Sequence, residues 1–263
     1  MAKIPLWENT PGFDPAFGQD EPSIEPFILD DGQEHGAVIV FPGGGYNHLA
    51  AHEAEPIAQW LNAAGFSAFV LRYRVAPYQH SLPWQDASRA IRTVRARAAE
   101  WKVQPDKIGV LGFSAGGHLA ATVSTHYDAG DSAASDPIER ASSRPDAAVL
   151  CYAVTTFDER YYHGGSRNCL FGENPDPNLL LAFSAENQAT PQTPPTFLWH
   201  TATDASVPVE HSLIYATALH ACAVPIEMHI FPEGRHGLGL AVDDPVISAW
   251  TGLCAKWLEN QGF

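Results

Sequence analysis

The sequence is poor in basic residues and has no long apolar run. Its 263 residues include 15 Lys and Arg against 30 Asp and Glu, which gives a formal net charge of −15. This balance argues against nucleic acid and against an anionic membrane as partners, because both attract clustered basic side chains. No apolar run approaches the roughly 18 residues of a bilayer span, and the first residues lack a basic start followed by an apolar segment. We therefore expect a cytoplasmic protein whose ligand is small or neutral.

Cysteine is also scarce. The four cysteines are far apart in sequence, with no CxxC pair and no Cys and His cluster at zinc-site spacing. This pattern predicts reduced, buried thiols and neither a metal nor another cofactor.

From residue 37 onward, short β-branched runs alternate with segments of helical periodicity. Such repeats predict a parallel sheet flanked by helices, because parallel neighbours need crossover connections. The length suits one α/β domain over residues 1–263. The predicted strands are 37–41, 67–73, 107–113, 147–154, 196–201 and 225–231, and the predicted helices are 54–64, 85–101, 114–125, 209–222 and 245–259.

Three segments depart from this alternation. Residues 1–36 are rich in Pro, Gly and acidic residues, which predicts an irregular N-terminal arm with one edge strand near 25–29. Residues 127–145 and 158–195 are long connections, and such connections are usually functional or disordered. For 158–195 we expect a small cap insertion over the active site, with a plain surface excursion as the alternative.

Four arginines, Arg89, Arg92, Arg95 and Arg97, lie within the helix predicted at 85–101. They fall on helix faces other than the one that carries the apolar positions. We expect them to form a solvated helix surface, the alternative being an anion site.

A candidate nucleophile lies where the strand at 107–113 gives way to a helix. The sequence Gly112-Phe113-Ser114-Ala115-Gly116 matches GxSxG, in which small neighbours allow a strained strand-to-helix turn around the serine. The following helix presents its N-terminus to negative charge that develops on an attacked carbonyl. The alternative is a glycine-rich turn whose serine only caps the helix.

The glycine run Gly43-Gly44-Gly45 follows the strand at 37–41 and is the candidate oxyanion hole. Glycines can turn their amides inward without obstruction by a Cβ atom, and three in a row are costly to order. We expect Gly44 and Gly45 to donate together with the amide of Ala115, without ranking the two glycines. The alternative is a tight turn without a catalytic role. The next residues, Tyr46 and Asn47, are expected to line the cleft.

A serine nucleophile needs a general base, usually histidine, held by a carboxylate. His236 follows the last predicted strand and Asp204 follows the strand at 196–201, so both lie where parallel strands deliver their carboxyl ends, as Ser114 does. Among the twelve histidines, His118 is a weaker rival. Asp86 is expected to be a buried carboxylate at a helix start, and Glu233 lies too close in sequence to His236 to reach it easily.

These motifs together resemble the esterases of the α/β-hydrolase superfamily over most of the chain. The matching blocks are PGGGY, YRVAP, GFSAGGHLAA, HTATDASVP and FPEGRHG. The pattern is most similar to the acetyl esterase and acetyl xylan esterase branch. One departure is Pro42, which stands where the superfamily's HGGG loop has its histidine, so any brace that this histidine supplies is absent.

The resemblance implies an α/β-hydrolase fold with a mostly parallel central sheet, a small cap and a Ser-His-Asp triad. It also implies a serine esterase that removes short acyl groups, with an ester or an acetylated oligosaccharide as the partner and a homo-oligomer as one possibility. Alternatives are a peptidase or amidase of the prolyl-oligopeptidase type, an arylformamidase, and a non-catalytic binding protein. Trp84, Arg167 and Val207 are further candidates for the substrate cleft.

Overall fold

The computed structural model describes residues 2–263, and its centre is one eight-stranded sheet in the order β1-β2-β4-β3-β5-β6-β7-β8. All pairs from β4 to β8 are parallel, and β1 and β2 add an antiparallel edge. The predicted mostly parallel sheet is therefore confirmed. The strands are β1 Ile4–Pro5, β2 Ser23–Phe27, β3 His35–Phe41, β4 Ser67–Arg72, β5 Val103–Phe113, β6 Ala147–Cys151, β7 Thr196–Thr201 and β8 Ile226–Phe231.

The described residues form seven helices that cover both faces of the sheet; six of them connect strands, and α7 follows β8. They are α1 Glu55–Ala63, α2 Leu82–Ala96, α3 Ser114–Thr125, α4 Gly164–Phe171, α5 Pro177–Ala182, α6 Glu210–Ala221 and α7 Ala249–Asn260. The helix predicted at 85–101 begins early, because Pro83 occupies a first-turn position where proline is favoured. It ends at residue 96, and a separate 3₁₀ turn covers 98–101. Within residues 2–263, no helix is both long and apolar enough to cross a membrane.

The central strand β3 shows how the sequence builds the core. It lies between β4 and β5, and its residues from Ala37 to Phe41 are completely buried. Ile39 and Phe41 pack into the cluster on one face of the sheet, while Val38 and Val40 pack into the cluster on the other. A strand buried on both faces reads as a continuous apolar run, which is the pattern that predicted it.

The N-terminal arm is more ordered than expected. Besides the predicted edge strand, found at 23–27, it contributes the short strand β1, which pairs with β2. β2 pairs antiparallel with β4, and Arg72 donates to Glu25 across this pair at 3.1 Å. The arm thus contributes two strands to the sheet, while most of its other residues lie outside strands and helices.

The arginines of α2 are not a solvated surface. Arg89 and Arg92 are only 5% and 7% exposed, and Arg95 also points toward protein carboxylates, while Arg97 pairs locally with Glu100. Three of them hold the 127–145 connection against α2, and we call Arg89, Arg92 and Arg95 the arginine clamp. Its ion-pair partners, at 2.6 to 2.7 Å, are Asp128, Asp136, Glu139 and Asp146. The prediction failed because the acidic partners lie about 40 to 50 residues away in sequence.

The connection at 158–195 folds into α4, α5 and a 3₁₀ turn at 185–187. Phe157 and Phe183 pack with Val154 and Val207 in a separate small apolar cluster. This cluster fixes the segment on the sheet. All four cysteines are free thiols, as predicted; Cys151 and Cys254 are buried, while Cys169 and Cys222 are half-buried.

Candidate active site

Ser114 occupies a tight turn between β5 and α3. Its backbone lies in the left-handed region at φ +51, which non-glycine residues rarely adopt. The two flanking positions must be glycine, because any Cβ atom there would overlap the backbone. A Cβ on Gly112 would lie 2.2 Å from the carbonyl oxygen of Gly116, and one on Gly116 would lie 2.1 Å from the carbonyl oxygen of Phe41. The turn thus exposes the serine hydroxyl at the end of a buried strand.

Ser114, His236 and Asp204 form one hydrogen-bonded row. His236 Nδ1 donates to Asp204 Oδ2 at 2.6 Å, and Ser114 Oγ donates to His236 Nε2 at 2.8 Å. The three residues follow β5, β8 and β7, so they meet at the carboxyl edge of the parallel strands. This is the geometry that a serine, a base and an orienting carboxylate need for nucleophilic attack.

The surroundings of Asp204 keep it ionised. Burial raises its pKa, but the His200 ring, 3.6 Å from Oδ2, and hydrogen bonds from His236 and the Val207 amide outweigh burial and hold the pKa well below its usual range. The amides of Ser206 and Val207 donate to Oδ1 at 2.9 Å. The carboxylate therefore keeps its charge opposite His236 at neutral pH.

The rival residues have other partners. His118 uses both ring nitrogens: Tyr46 Oη donates to Nδ1 at 2.7 Å, and Nε2 donates to the carbonyl of Phe183 at 2.9 Å. Asp86 is completely buried and forms an ion pair with Arg74 at 2.6 Å. The prediction that Asp86 is a buried helix-start carboxylate is confirmed.

The glycine run lies against the serine turn. A Cβ on Gly43 would lie 3.2 Å from Ser114 Cβ, so the loop touches the turn directly. Gly44 and Gly45 have φ angles of +119 and +65, which suit glycine. Among residues 2–263 no acceptor binds the amide of Gly44 or Gly45, whereas the Gly43 amide donates to Glu53. The amides predicted to hold an oxyanion are therefore unengaged, next to Ala115 at the start of α3.

Two of the residues predicted to line the cleft lie in the interior instead. Tyr46 is 1% exposed, because its hydroxyl binds His118 and its ring packs on Tyr73. Val207 is completely buried in the apolar cluster that it shares with Phe183 of residues 158–195, which we call the cap segment after its prediction, and its amide donates to Asp204.

The other three predicted cleft residues reach the surface. Asn47 is exposed, and Trp84 is half-buried with its Nε1 donating to the carbonyl of His126. Arg167 is half-buried on α4, with its guanidinium 4.5 Å from the centre of the Tyr162 ring.

The cap segment brings one histidine to the site that sequence reasoning did not select. His163 caps α4 and accepts from the Ser166 amide at 3.1 Å. Burial lowers the pKa of His163, and the charge of His236 lowers it further. Ser166 in turn lies 4.0 Å from the Cβ position of Gly45. A histidine directly before Gly164-Gly165 at a helix start was the available signal.

An eight-stranded, mostly parallel sheet that presents a serine, a histidine and an aspartate in one hydrogen-bonded row defines the α/β-hydrolase class. Within that class the chain belongs to the BD-FAE family, whose model matches residues 29–219.

Solved and curated relatives agree with this placement. An acetyl ester-xyloside bifunctional hydrolase from Caldicellulosiruptor lactoaceticus has 55% sequence identity to this chain. Its crystal structure matches with a TM-score of 0.97 and covers 100% of this chain and 97% of that one. Endo-1,4-beta-xylanase B of Butyrivibrio fibrisolvens is 36% identical over 94% of this chain. An acetylxylan esterase of Xylanibacter ruminicola is 33% identical over 77% of this chain. The chain spans only 39% and 41% of the lengths of these two curated relatives.

Proposed function

We propose that this protein is a serine esterase that removes short acyl groups, chiefly acetyl, from small sugars or xylo-oligosaccharides. The hydrogen-bonded row of Ser114, His236 and Asp204 carries this proposal.

The geometry supports a two-step acyl transfer. Ser114 Oγ attacks the ester carbonyl while His236 Nε2 takes its proton and then passes it to the departing alcohol. Water then attacks the acyl-serine and gives a proton to His236 Nε2. The bond between Ser114 Oγ and the acyl group breaks as His236 returns this proton to Oγ, and the carboxylic acid leaves. The ionised Asp204 stabilises the imidazolium at each proton transfer. The amides of Ala115, Gly44 and Gly45 are the donors that we assign to the tetrahedral oxyanion.

Two observations support a sugar ester as the substrate. Relatives named as an acetylxylan esterase and as an acetyl ester-xyloside hydrolase match most or all of this chain. An open cleft of about 600 Å³ also borders His236, and no large apolar side chain lines it. Its lining residues are Thr203, Ala205, Ser206, Glu233, Gly234, Arg235 and His236. Side chains of Thr203, Glu233 and Arg235 can form hydrogen bonds with a hydroxyl-rich alcohol, whereas a long lipid chain finds no large apolar side chain there.

The first experiment compares hydrolysis of p-nitrophenyl acetate, butyrate and octanoate by the wild type, Ser114→Ala and Ser124→Ala. Ser124 is the matched control, because it lies on the same helix and donates only to the carbonyl of Ala120. We expect Ser114→Ala to lose at least about 10³-fold in kcat. We expect Ser124→Ala to stay near wild type and the rates to fall with acyl length. Equal rates for wild type and Ser114→Ala would refute the proposal.

The substrate class is tested by acetate release from acetylated xylo-oligosaccharides. We expect release that depends on Ser114. Strong activity on p-nitrophenyl acetate without release from the oligosaccharides would reject the sugar substrate and retain the esterase. Faster hydrolysis of peptide p-nitroanilides than of acetyl esters would favour the amidase alternative.

A further inference from the structure

Glu53 is a buried carboxylate that the reaction above does not use. It ends the 3₁₀ turn at Ala51–Glu53 and is 2% exposed. Within residues 2–263 no Lys or Arg forms an ion pair with it, and the one basic side chain within 4 Å is the exposed His52, at 3.5 Å. Burying a carboxylate without a strong cationic partner is costly unless hydrogen bonds satisfy both oxygens.

Both oxygens of Glu53 are satisfied by groups close to the triad. The Gly43 amide donates to Oε2 at 2.9 Å, and Tyr152 Oη donates to Oε1 at 2.7 Å. Gly43 starts the glycine run that touches Ser114. The first bond of Glu53 therefore fixes the backbone from which the unengaged amides of Gly44 and Gly45 project.

The second bond leads to the loop that carries the base. Tyr152 follows β6 and is 1% exposed, and its hydroxyl oxygen accepts from the Gly239 amide at 2.8 Å. The hydroxyl hydrogen is thus free for Glu53, and burial raises the pKa of Tyr152 well above its usual value, so it remains a donor. Gly239 lies three residues after His236, and the Tyr152 ring stands edge-on to the His236 ring with centroids 5.0 Å apart.

The turn at Ala51–Glu53 also contacts the His236 loop directly, because His52 Nε2 donates to the carbonyl of Gly237 at 3.1 Å. Pro42 cannot brace the glycine run through a side chain, and its carbonyl accepts from Tyr73 Oη at 2.6 Å. Glu53 occupies the space beside Gly43, since a Cβ atom on Gly43 would lie 2.6 Å from Glu53 Oε2. The glycine run is therefore held by Glu53 of the turn at 51–53, and not by the side chain at position 42.

We propose that Glu53 is a positioning residue that joins the glycine run to the His236 loop through the row Gly43, Glu53, Tyr152 and Gly239. This inference rests on the proposed esterase function. Its consequence is that the oxyanion donors and the general base keep a fixed separation while the serine is acylated and deacylated.

The test is Glu53→Gln, which keeps the shape but replaces one acceptor with an NH₂ group. Either Gly43 or Tyr152 then loses its acceptor. On p-nitrophenyl acetate we expect kcat per active site to fall about 10- to 100-fold, less than the roughly 10²- to 10³-fold lost when one oxyanion donor is removed, because the amides are displaced and not deleted. KM should change less than about twofold, because the loss concerns the transition state alone. Active sites are titrated with diethyl p-nitrophenyl phosphate, so that an unfolded fraction is not counted.

Tyr152→Phe and the double variant make the test specific. Tyr152→Phe removes the middle of the row, and we expect a fall in kcat of similar size. If the two residues act as one unit, the double variant will lose no more than about threefold beyond the worse single variant. Glu25→Gln is the matched control, since Glu25 pairs with Arg72 between β2 and β4 and with none of the four residues of the row, and it should keep wild-type kcat.

The outcomes separate this inference from the proposed function. An inactive wild type would refute the esterase assignment. With an active wild type, an unchanged kcat per titrated site in Glu53→Gln and Tyr152→Phe would overturn the positioning role. The positioning role would also be overturned if the loss of kcat in the double variant equalled the product of the two single losses. If Glu53→Gln does not fold, kcat and KM of Tyr152→Phe decide the matter in the same way.

Discussion

Acid will destabilise the fold through two histidines that are buried in the neutral form. Burial is the main reason that the pKa of His118 and that of His211 are each lowered from 6.5 to about 4. Neighbouring histidines lower both values further. Each ring is held neutral by accepting at Nδ1 and donating at Nε2, as in the bonds from the Thr155 and Thr156 amides to His211 and from His211 to the carbonyl of Tyr161.

The sign and size follow from proton binding. Between pH 6.5 and about 4 the unfolded chain binds a proton at each position that the folded chain does not, so the free energy of unfolding falls as pH falls. One such proton costs about 1.4 kcal/mol per pH unit, which gives about 3 kcal/mol for each histidine across this window. The contribution of these rings is complete above pH 6.5 and is lost by about pH 4. Two such losses are a large part of a typical stability of about 5–15 kcal/mol.

The measurement is urea unfolding, followed by tryptophan fluorescence, from pH 7 to pH 4.5 for the wild type, His118→Gln and His220→Gln. His118→Gln should be less stable at pH 7 by about 1–3 kcal/mol, because Tyr46 loses its acceptor. Its stability should fall less steeply with acid, so that the two curves converge. His220, exposed on α6, is the control and should give a curve parallel to wild type. A curve for His118→Gln that stays parallel to wild type would refute the reasoning.

Two further predictions concern the core ion pair and the glycines. Asp86→Ala leaves Arg74 buried without its partner and should lower the free energy of unfolding by about 3–5 kcal/mol, whereas Glu259→Ala in an exposed pair should change it by less than about 1 kcal/mol. Gly252→Ala should raise the free energy of unfolding by about 0.5–1 kcal/mol, because nothing lies within 4 Å of the new methyl group on α7. Gly116→Ala should abolish esterase activity, because the new methyl group would displace the turn that carries Ser114. Urea unfolding measures the stability of Asp86→Ala, Glu259→Ala and Gly252→Ala. A Gly252→Ala variant that is less stable than the wild type would contradict the prediction about the glycines.

The sequence predicted the triad because its members follow a topological rule. Parallel strands deliver their carboxyl ends to one edge, so Ser114, Asp204 and His236 could be placed together before any coordinate was known. The strand runs were equally readable, since a strand buried on both faces, such as β3, leaves an uninterrupted apolar run. Chain order and strand polarity were sufficient for this part of the site.

The missed features depend on partners that are distant in sequence. Ala51-His52-Glu53 reads as an ordinary helix start, and its role becomes visible only when Tyr152, 99 residues later, reaches the carboxylate. The arginines of α2 fit a solvated face as long as the acidic connection is not docked on them. Tyr46 and Val207 stand beside predicted site residues, yet neighbouring positions in a chain can point to opposite sides of a loop.

The arginine clamp also has a practical consequence for engineering. It fastens the 127–145 connection by a few side chains at its two ends, so the tip between them carries little of the fold. Residues 132 to 135 are largely exposed, and Asp128 and Asp136 on either side of them remain tied to α2. Exposed tips between well-anchored ends are the places where chains accept inserted sequence. An epitope or an affinity peptide placed there would be displayed away from the carboxyl edge of the sheet, with the hydrolase scaffold beneath it undisturbed.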